Sequence, residues 1–351
     1  MTANFMFVFA LCVALGTLFF WSFKTLPKER WQIVATVPAV KEAPNHWRGI
    51  NFTYYGLFTA NAYAAATGIF LLLTGALAVP LSTTLFFTGM LLAVCIPSSK
   101  LIARIVEKKR HTFTIGGASF MGVCIAPWAI WTVNRCLMGT NEGAMPLIPT
   151  MAALSIAYLF GESVGRLACI SFGCCYGKPL SECHPILRRL FSHLSFTFFG
   201  ETKKIAYASS MQGMKVLPIQ GMTAVVYGMA GILGLVLFLE ARFTPCFLFS
   251  VVAAQGWRCF SECLRADYRG GGRISAYQVM ALLAVLYSVF IGVLFQGHPS
   301  PAPDIATGLK ILWDPAVLLS LEALWAVTFL YTGRSMVTGA FLSFHVHQDR
   351  I

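Results

Sequence analysis

Charged side chains are scarce in this chain of 351 residues: Asp, Glu, Lys and Arg make up only 11% of it, and just 14 residues are acidic. A soluble globular domain carries roughly 25% charged residues. Hydrophobic residues make up 57% of the chain, so the composition excludes an ordinary soluble enzyme and favours one polytopic membrane protein. Zinc-finger spacing, a phosphate-binding glycine loop and internal repeats are also missing from the sequence.

Nine apolar segments approach the length of about 20 residues that a helix needs to cross a bilayer. They cover about 4–23, 52–76, 79–97, 114–136, 147–170, 218–241, 245–264, 275–296 and 311–332. In the first segment the charged residues follow the apolar run and none precede it. This order is typical of an uncleaved signal-anchor rather than of a cleaved signal peptide.

The net charge of +12 is distributed unevenly between the loops. With nine spans, the loops on one face contain nearly all the basic residues, and the opposite face contains only Arg135, Arg242 and Lys310. The positive-inside rule places the basic face in the cytoplasm and the N-terminus outside. We therefore predict a multi-pass protein of the inner (plasma) membrane with no nucleic-acid partner. The largest loop, about 177–217, would form a head or cap on the cytoplasmic side.

Ionisable residues inside the spans are informative, because each is costly in hydrocarbon unless it is paired or faces a wet cavity. Arg258 and Glu262 stand four residues apart and are predicted to form an ion pair on one helix face. Such a pair fits either a structural salt bridge or an anion site, since a guanidinium group matches the geometry of phosphate. Arg166, near the end of the fifth span, fits either the same anion site or a side chain that reaches out to the headgroups.

Several of the eleven cysteines lie within spans, and the loop cysteines map to the reducing face, so free thiols are expected. Five candidate ligands follow one another from the end of the fifth span onwards: Cys169, Cys174, Cys175, Cys183 and His184. Their spacing matches no strong metal motif, so we predict no metal and no cofactor. The open alternative is a cavity site completed by Cys259 or Cys263. A thiol beside arginines is expected to have a lowered pKa.

Four blocks occur in a fixed order over about residues 48–296. They are Tyr54-Tyr55-Gly56-Leu57; Gly116-Gly117-Ala118-Ser119-Phe120; Gly165-Arg166 through Gly177; and Arg258 through Asp267, followed by Ile274-Ser275 and Gln278. In their order and spacing these blocks resemble the bacterial prolipoprotein diacylglyceryl transferase family.

The resemblance implies a seven-helix membrane enzyme that moves the diacylglyceryl unit of phosphatidylglycerol onto a cysteine thiol and releases glycerol phosphate. It implies that Arg166 and Arg258 hold the phosphate and that Glu262 orients Arg258. The substrate-binding positions that it implies are Tyr55, Gly116, Gly117, Gly177, Gln220 and Arg265. The chain departs from the family at three positions. Cys169 stands where the family has Asn, Cys174 where it has Glu, and Leu217 where it has His.

The sequence thus predicts an all-α polytopic fold with a seven-helix, transferase-like core and one extra span at each end. Residues 1–47 would form the signal-anchor and a basic loop, and 48–296 the core. Residues 297–351 would form a stiff Pro-rich loop (297–309), the last span and a tail. The leading hypothesis is transfer of a diacylglyceryl unit from an anionic phospholipid to an unidentified acceptor. Its predicted catalytic residues are Arg166, Cys169, Cys174, Arg258 and Glu262, with Cys169 or Cys174 as the activated thiol. The alternatives are a non-catalytic lipid-binding protein and a thiol-based redox or metal protein.

Overall fold

The structure is a computed structural model, which describes residues 2–106, 108, 114–136, 144–267, 274–295 and 302–351. The described part of the chain is mostly helical. Its α-helices are α1 (Thr2–Thr25), α2 (Tyr54–Ala76), α3 (Leu81–Val106), α4 (Ile115–Cys136), α5 (Leu147–Phe172), α6 (Pro185–Leu190), α7 (Lys204–Ser209), α8 (Ile219–Leu239), α9 (Phe243–Glu262), α10 (Ala276–Leu294), α11 (Ile305–Leu312) and α12 (Pro315–Gly333).

Eight helices in the described ranges are long and apolar enough to cross a membrane: α1, α2, α3, α4, α5, α8, α10 and α12. This confirms the prediction of a polytopic helical membrane protein. Of the nine predicted spans, the one at 245–264 corresponds to α9, which is not among the eight. Helix α9 contains Gln255, Arg258 and Glu262, and these polar residues lower its hydropathy. It packs against α5, α8 and α10.

Helix α5 lies at the centre of the bundle and packs against α2, α8 and α9. Small residues bring these helices together. A Cβ atom on Gly161 of α5 would lie 2.8 Å from the Ala66 side chain of α2, and one on Gly234 of α8 would lie 2.7 Å from Ser250 of α9. Lipid is as apolar as the helices themselves, so close packing of this kind is what stabilises a helix pair in a membrane.

Two small antiparallel sheets accompany the helices, although only helices were predicted. Strands β1 (Ile33–Ala43) and β2 (His46–Thr53) form a hairpin, and β3 (Phe196–Thr197) pairs with β4 (Lys215–Val216). Strand β5 (Arg334–Ser343) follows α12 and pairs with β2. The predicted boundary between residues 47 and 48 therefore lies inside β2, and segments from both ends of the chain share one sheet.

The segment 177–217, for which no internal structure was predicted, contains α6, β3, α7 and β4. It contacts the chain just after α1, where the Phe199 amide donates to the Pro27 carbonyl (3.1 Å) and the Gln32 side chain pairs with Thr202 (2.7 Å). The head thus contacts the segment that follows α1.

The predicted Pro-rich loop at 297–309 is corrected in part. Residues 296–301 lie outside the described residues, but α11 begins at Ile305, inside the predicted loop. Asp304 caps α11 by accepting from the Ala306 amide (3.1 Å), and Asp314 caps α12 by accepting from the Ala316 amide (2.8 Å). Side-chain caps of this type begin helices, and Pro315 suits the first helical position of α12. The last span is therefore Pro315–Gly333.

Candidate functional site

The candidate site lies where α2, α4, α8 and α10 begin and where α5 and α9 end. Residues from these termini approach one another: Gly116 of α4 lies beside Arg258 of α9 and Tyr277 of α10, and the ring of Tyr55 at the start of α2 stacks edge-on against Phe172 at the end of α5 (5.5 Å between centroids). The four sequence blocks therefore meet at one end of the bundle.

Arg166 and Arg258 share one carboxylate, that of Glu162 on α5. The Arg166 Nη2 atom lies 2.6 Å from Glu162 Oε2, and the Arg258 Nη2 atom lies 3.4 Å from the same oxygen. All three side chains are nearly buried, with 14%, 11% and 5% of their surfaces exposed, respectively. The two guanidinium groups carry two positive charges against one negative charge, so this group of three has a net charge of +1.

The predicted ion pair between Arg258 and Glu262 is wrong. Glu262 is the last residue of α9, and its carboxylate lies 3.7 Å from Arg265 instead. Arg258 turns towards α5, where it reaches Glu162 and also donates to the Tyr158 hydroxyl. A spacing of four residues places two side chains on one helix face, but contacts with a neighbouring helix decide which partner each one takes.

The arginine pair also has unused hydrogen-bonding capacity. The Nε atoms of Arg166 and Arg258 are buried and have no hydrogen-bond partner. Buried polar groups are nearly always satisfied, and an unsatisfied one costs free energy. Two buried guanidinium groups with a net positive charge and two free donors form a suitable site for an anion with several oxygens, such as a phosphodiester.

Gly116 and Gly117 were predicted either to pack helices closely or to admit a lipid. A Cβ atom on Gly116 would lie 2.7 Å from Arg258 Nη1 and 2.8 Å from the Tyr277 ring, so this glycine leaves space for the Arg258 guanidinium group. On Gly117, a Cβ atom would lie 2.9 Å from the Ile102 side chain. Gly117 therefore allows α3 and α4 to pack closely.

The cysteines lie in a loop that turns back on α5. Gly173 ends the helix with φ +68°, a left-handed conformation that glycine adopts without strain. The Cys174 amide then donates to the Cys169 carbonyl (3.0 Å), which brings the loop over the last turn of the helix. As a result, the Sγ atoms of Cys169, Cys174 and Cys175 all lie within 4.8 Å of one another.

The loop is also held from outside. Gln220 Nε2 donates to the Cys174 carbonyl (2.8 Å), and the Ala266 amide donates to the Tyr176 carbonyl (3.1 Å). A Cβ atom on Gly177 would lie 2.7 Å from the Leu217 side chain. Gln220 and Gly177, predicted as substrate-binding residues, thus hold the backbone of the cysteine loop in position.

Arg265 is fully paired. Its Nε and Nη2 atoms each lie 2.7 Å from a carboxylate oxygen of Asp267, and Glu262 lies on its other side. Such a bidentate pair uses the donors that a phosphate would need. The structure places Arg265 beside the cysteine loop, where its backbone bridges to Gly177, and leaves it less available to a substrate than Arg166 and Arg258.

The expectation of a lowered pKa near the arginines is reversed for Cys174. Hydrogen bonding to Cys169 and Cys175, together with burial, raises the pKa of the Cys174 thiol well above its usual value. In the metal-free protein this thiol is therefore neutral at neutral pH, which weakens it as a nucleophile.

The sequence analysis missed two residues of the site, Glu162 and Tyr158. Glu162 had a usable signal, because it stands four residues before Arg166 inside a span that has no other acidic residue. Tyr158 lies one further turn back on the same helix face, but a tyrosine at that spacing gives no distinct signal. Cys259 and Cys263, the proposed additional metal ligands, lie outside the group of three thiols, and Cys263 Sγ instead faces the Gln278 amide (3.7 Å).

Comparison with protein-family models, with curated proteins and with solved structures finds no match to this chain.

Proposed function

We propose that this protein is a membrane transferase that binds an anionic phospholipid, phosphatidylglycerol or a close relative, with its phosphate between Arg166 and Arg258. The observation that carries the proposal is the shared carboxylate: two buried guanidinium groups share one acidic partner, Glu162, and have two unpaired Nε donors. A phosphodiester carries the single negative charge that would neutralise this group.

An apolar groove near Arg258 supports a lipid as the ligand. It has a volume of about 350 Å³ and lies between α3 and α10. The residues that line it are Ile102, Ile105, Val106, Ala276, Val279 and Met280. Ile102 packs against Gly117, and Tyr277, next to Ala276, lies beside Gly116 and Arg258. A lipid whose phosphate lies at the arginines would therefore have an apolar groove close by for one of its acyl chains.

The proposed reaction is displacement at the glyceryl carbon that carries the phosphate oxygen. The acceptor forms a bond to this carbon, the carbon–oxygen bond breaks, glycerol phosphate leaves with the bonding electrons, and the acceptor's proton is released. Arg166 and Arg258 would stabilise the negative charge that increases on the leaving phosphate. Glu162 takes the orienting role that the family resemblance assigned to Glu262, because Glu162 is the carboxylate in contact with Arg258.

The proposal also specifies how the helices are arranged in the membrane. The seven helices α2, α3, α4, α5, α8, α9 and α10 would form the transferase core, with α1 and α12 added at its two ends. Helix α9 would complete the bundle despite its polarity, because it carries Arg258 to the site. The loop charges predict that the protein lies in the inner membrane with the site and the head facing the cytoplasm.

The test uses purified protein with labelled phosphatidylglycerol and candidate thiol acceptors. We expect bound anionic phospholipid in extracts of the wild-type protein and release of labelled glycerol phosphate on addition of an acceptor. Arg166→Lys and Arg258→Lys keep the charge but lose the planar fork, and each should lower turnover by about 100-fold, the usual cost of losing a donor to a developing oxyanion. Arg242→Gln, at an exposed arginine beside Glu240, should have no effect.

Two results would contradict the proposal in different ways. Tight phospholipid binding that depends on Arg166 and Arg258, with no turnover by any acceptor, would favour the non-catalytic lipid-binding protein. Equal lipid content in the wild-type protein and both arginine variants would show that Arg166 and Arg258 do not bind the phosphate.

A further inference from the structure

The spacing of three sulfur atoms matches the coordination shell of a single metal ion. The Sγ atoms of Cys169, Cys174 and Cys175 lie within 4.8 Å of one another. Zinc–thiolate bonds of about 2.3 Å in tetrahedral geometry place two sulfur ligands about 3.8 Å apart. Separations of at most 4.8 Å exceed this distance by about 1 Å, so rotation of the side chains would bring the three sulfur atoms around one ion.

We propose that Cys169, Cys174 and Cys175 together bind one thiophilic metal ion of the Zn²⁺ type, with a fourth coordination position left open. This site lies beside the arginine pair, and it does not depend on the proposed transferase activity. It assigns the three thiols to a metal rather than to a free nucleophile.

The backbone around the thiols is held in place before any ion binds. Gly173 sets the turn at the end of α5, the Cys174 amide is bonded to the Cys169 carbonyl, and Gln220 holds the Cys174 carbonyl. Cys169 and Cys174 are buried, and Cys175 is half-buried. Because the ligands are already fixed, binding would require little conformational ordering, which favours affinity.

The charge around the thiols suits a thiolate cluster. Three thiolates and one Zn²⁺ ion carry a net charge of −1. Arg166 lies within electrostatic reach of Cys169 and Cys175, and Arg265 lies within reach of Cys175. Positive side chains at this distance would stabilise the metal-bound cluster.

The proton balance of the binding step follows from the state of the thiols. Each thiol loses its proton when its sulfur bonds to the metal, so one Zn²⁺ ion would release about three protons to solvent at neutral pH. Nothing is oxidised or reduced in this step.

Tyr55 lies near the site, and its hydroxyl is within electrostatic reach of all three cysteines. Three protein ligands with an open position are typical of zinc sites that bind a water or a substrate, whereas structural sites use four protein ligands. Among the described residues, these three cysteines are the only group of His, Cys, Asp or Glu side chains with such close ligand atoms.

The experiment titrates reduced, metal-free protein with Co²⁺ and then displaces it with Zn²⁺, following the sulfur-to-cobalt charge-transfer absorption. We expect one ion per chain, release of about three protons, and protection of Cys169, Cys174 and Cys175 from maleimide in the zinc-loaded wild-type protein. Cys169→Ser, Cys174→Ser and Cys175→Ser should each weaken binding at least tenfold. Cys183→Ser and Cys246→Ser are matched controls at cysteines whose thiols face backbone carbonyls, and they should bind as the wild type does.

Absence of the charge-transfer band, or an equal loss in the control variants, would overturn the proposal. So would a disulfide between Cys169 and Cys174 in protein purified under mild reduction, which would favour a redox role. Maleimide protection is measured on the wild-type protein, so it still tests the proposal if a serine variant fails to fold. Arg258→Lys separates the two proposals, because it should lower lipid turnover and leave metal binding unchanged.

Discussion

Among the charged side chains that the structure describes, Lys203 is the most completely buried. It has no exposed surface, and its Nζ atom donates to the Leu26 carbonyl (3.2 Å) and to the Ser171 carbonyl. Leu26 follows the end of α1 and Ser171 lies in the last turn of α5, where free carbonyl groups carry partial negative charge. Lys203 therefore ties the head to the ends of two helices. Burial lowers the pKa of its ammonium group to about 8, although nearby Glu29 acts in the opposite direction.

This pKa predicts how stability depends on pH. Between pH 8 and the ordinary lysine value of 10.5, the unfolded chain binds more protons than the folded protein, so stability should rise as the pH increases through this window. The full gain would be about 3 kcal/mol. Lys203→Met should flatten this rise in the unfolding temperature, while Lys204→Met, at the half-buried neighbour, should keep it. Identical pH profiles for Lys203→Met and the wild type would show that the buried amine is not responsible.

At the scale of helices, α2 is packed so closely against the C-terminal helices that it leaves no space for side chains at two points. A Cβ atom on Gly56 would overlap the Gly333 backbone at the end of α12, and one on Gly308 of α11 would overlap the Leu72 carbonyl. Helices α11 and α12 are thus in backbone contact with α2.

Gly56→Ala should therefore destabilise the protein. The added methyl group meets backbone atoms that cannot rotate away, so we expect a cost at or above the 1–3 kcal/mol typical of overpacking. The matched control is Gly256→Ala in α9, where a Cβ atom would meet nothing within 4 Å. The fraction of protein that remains monodisperse in detergent after heating measures the effect. Equal heat resistance of the two variants would contradict the close approach of α2 and α12.

At the scale of the whole molecule, the uneven distribution of basic residues is the main guide to orientation. The head, the three-stranded sheet and the candidate site all lie at the end of the bundle that carries the basic loops. The positive-inside rule predicts that this end lies in the cytoplasm. Two cysteines on opposite ends allow a direct check: Cys183 lies in the head, and Cys136 ends α4 on the other side.

A membrane-impermeant maleimide should label Cys136 in intact cells and should label Cys183 only after permeabilisation. Peptide mass spectrometry assigns the label to each cysteine, so no cysteine-free background is needed. The expected order follows from the nine-helix alternation, in which α9 crosses the membrane. Labelling of Cys183 in intact cells would show that the topology is inverted and that the candidate site lies on the outer face.

Much of the helical architecture was predictable, because hydrocarbon demands that a spanning segment satisfy its own backbone hydrogen bonds. Long apolar segments such as 147–170 and 218–241 therefore become helices with little influence from the rest of the chain. Strand β5 could not be predicted in this way. Its pairing with β2 joins residues nearly 300 positions apart, and local sequence carries no signal for a partner at that distance.

Sequence alone determined which segments are apolar enough to span a membrane and which arginines, among them Arg166 and Arg258, stand inside them. Only the tertiary structure decided that these arginines share Glu162, that Glu262 serves Arg265, and that three thiols with unpromising spacing lie within 4.8 Å of one another. The reason is physical. Hydropathy is a property of each segment, whereas a side chain's partner depends on how its helix is rotated against its neighbours.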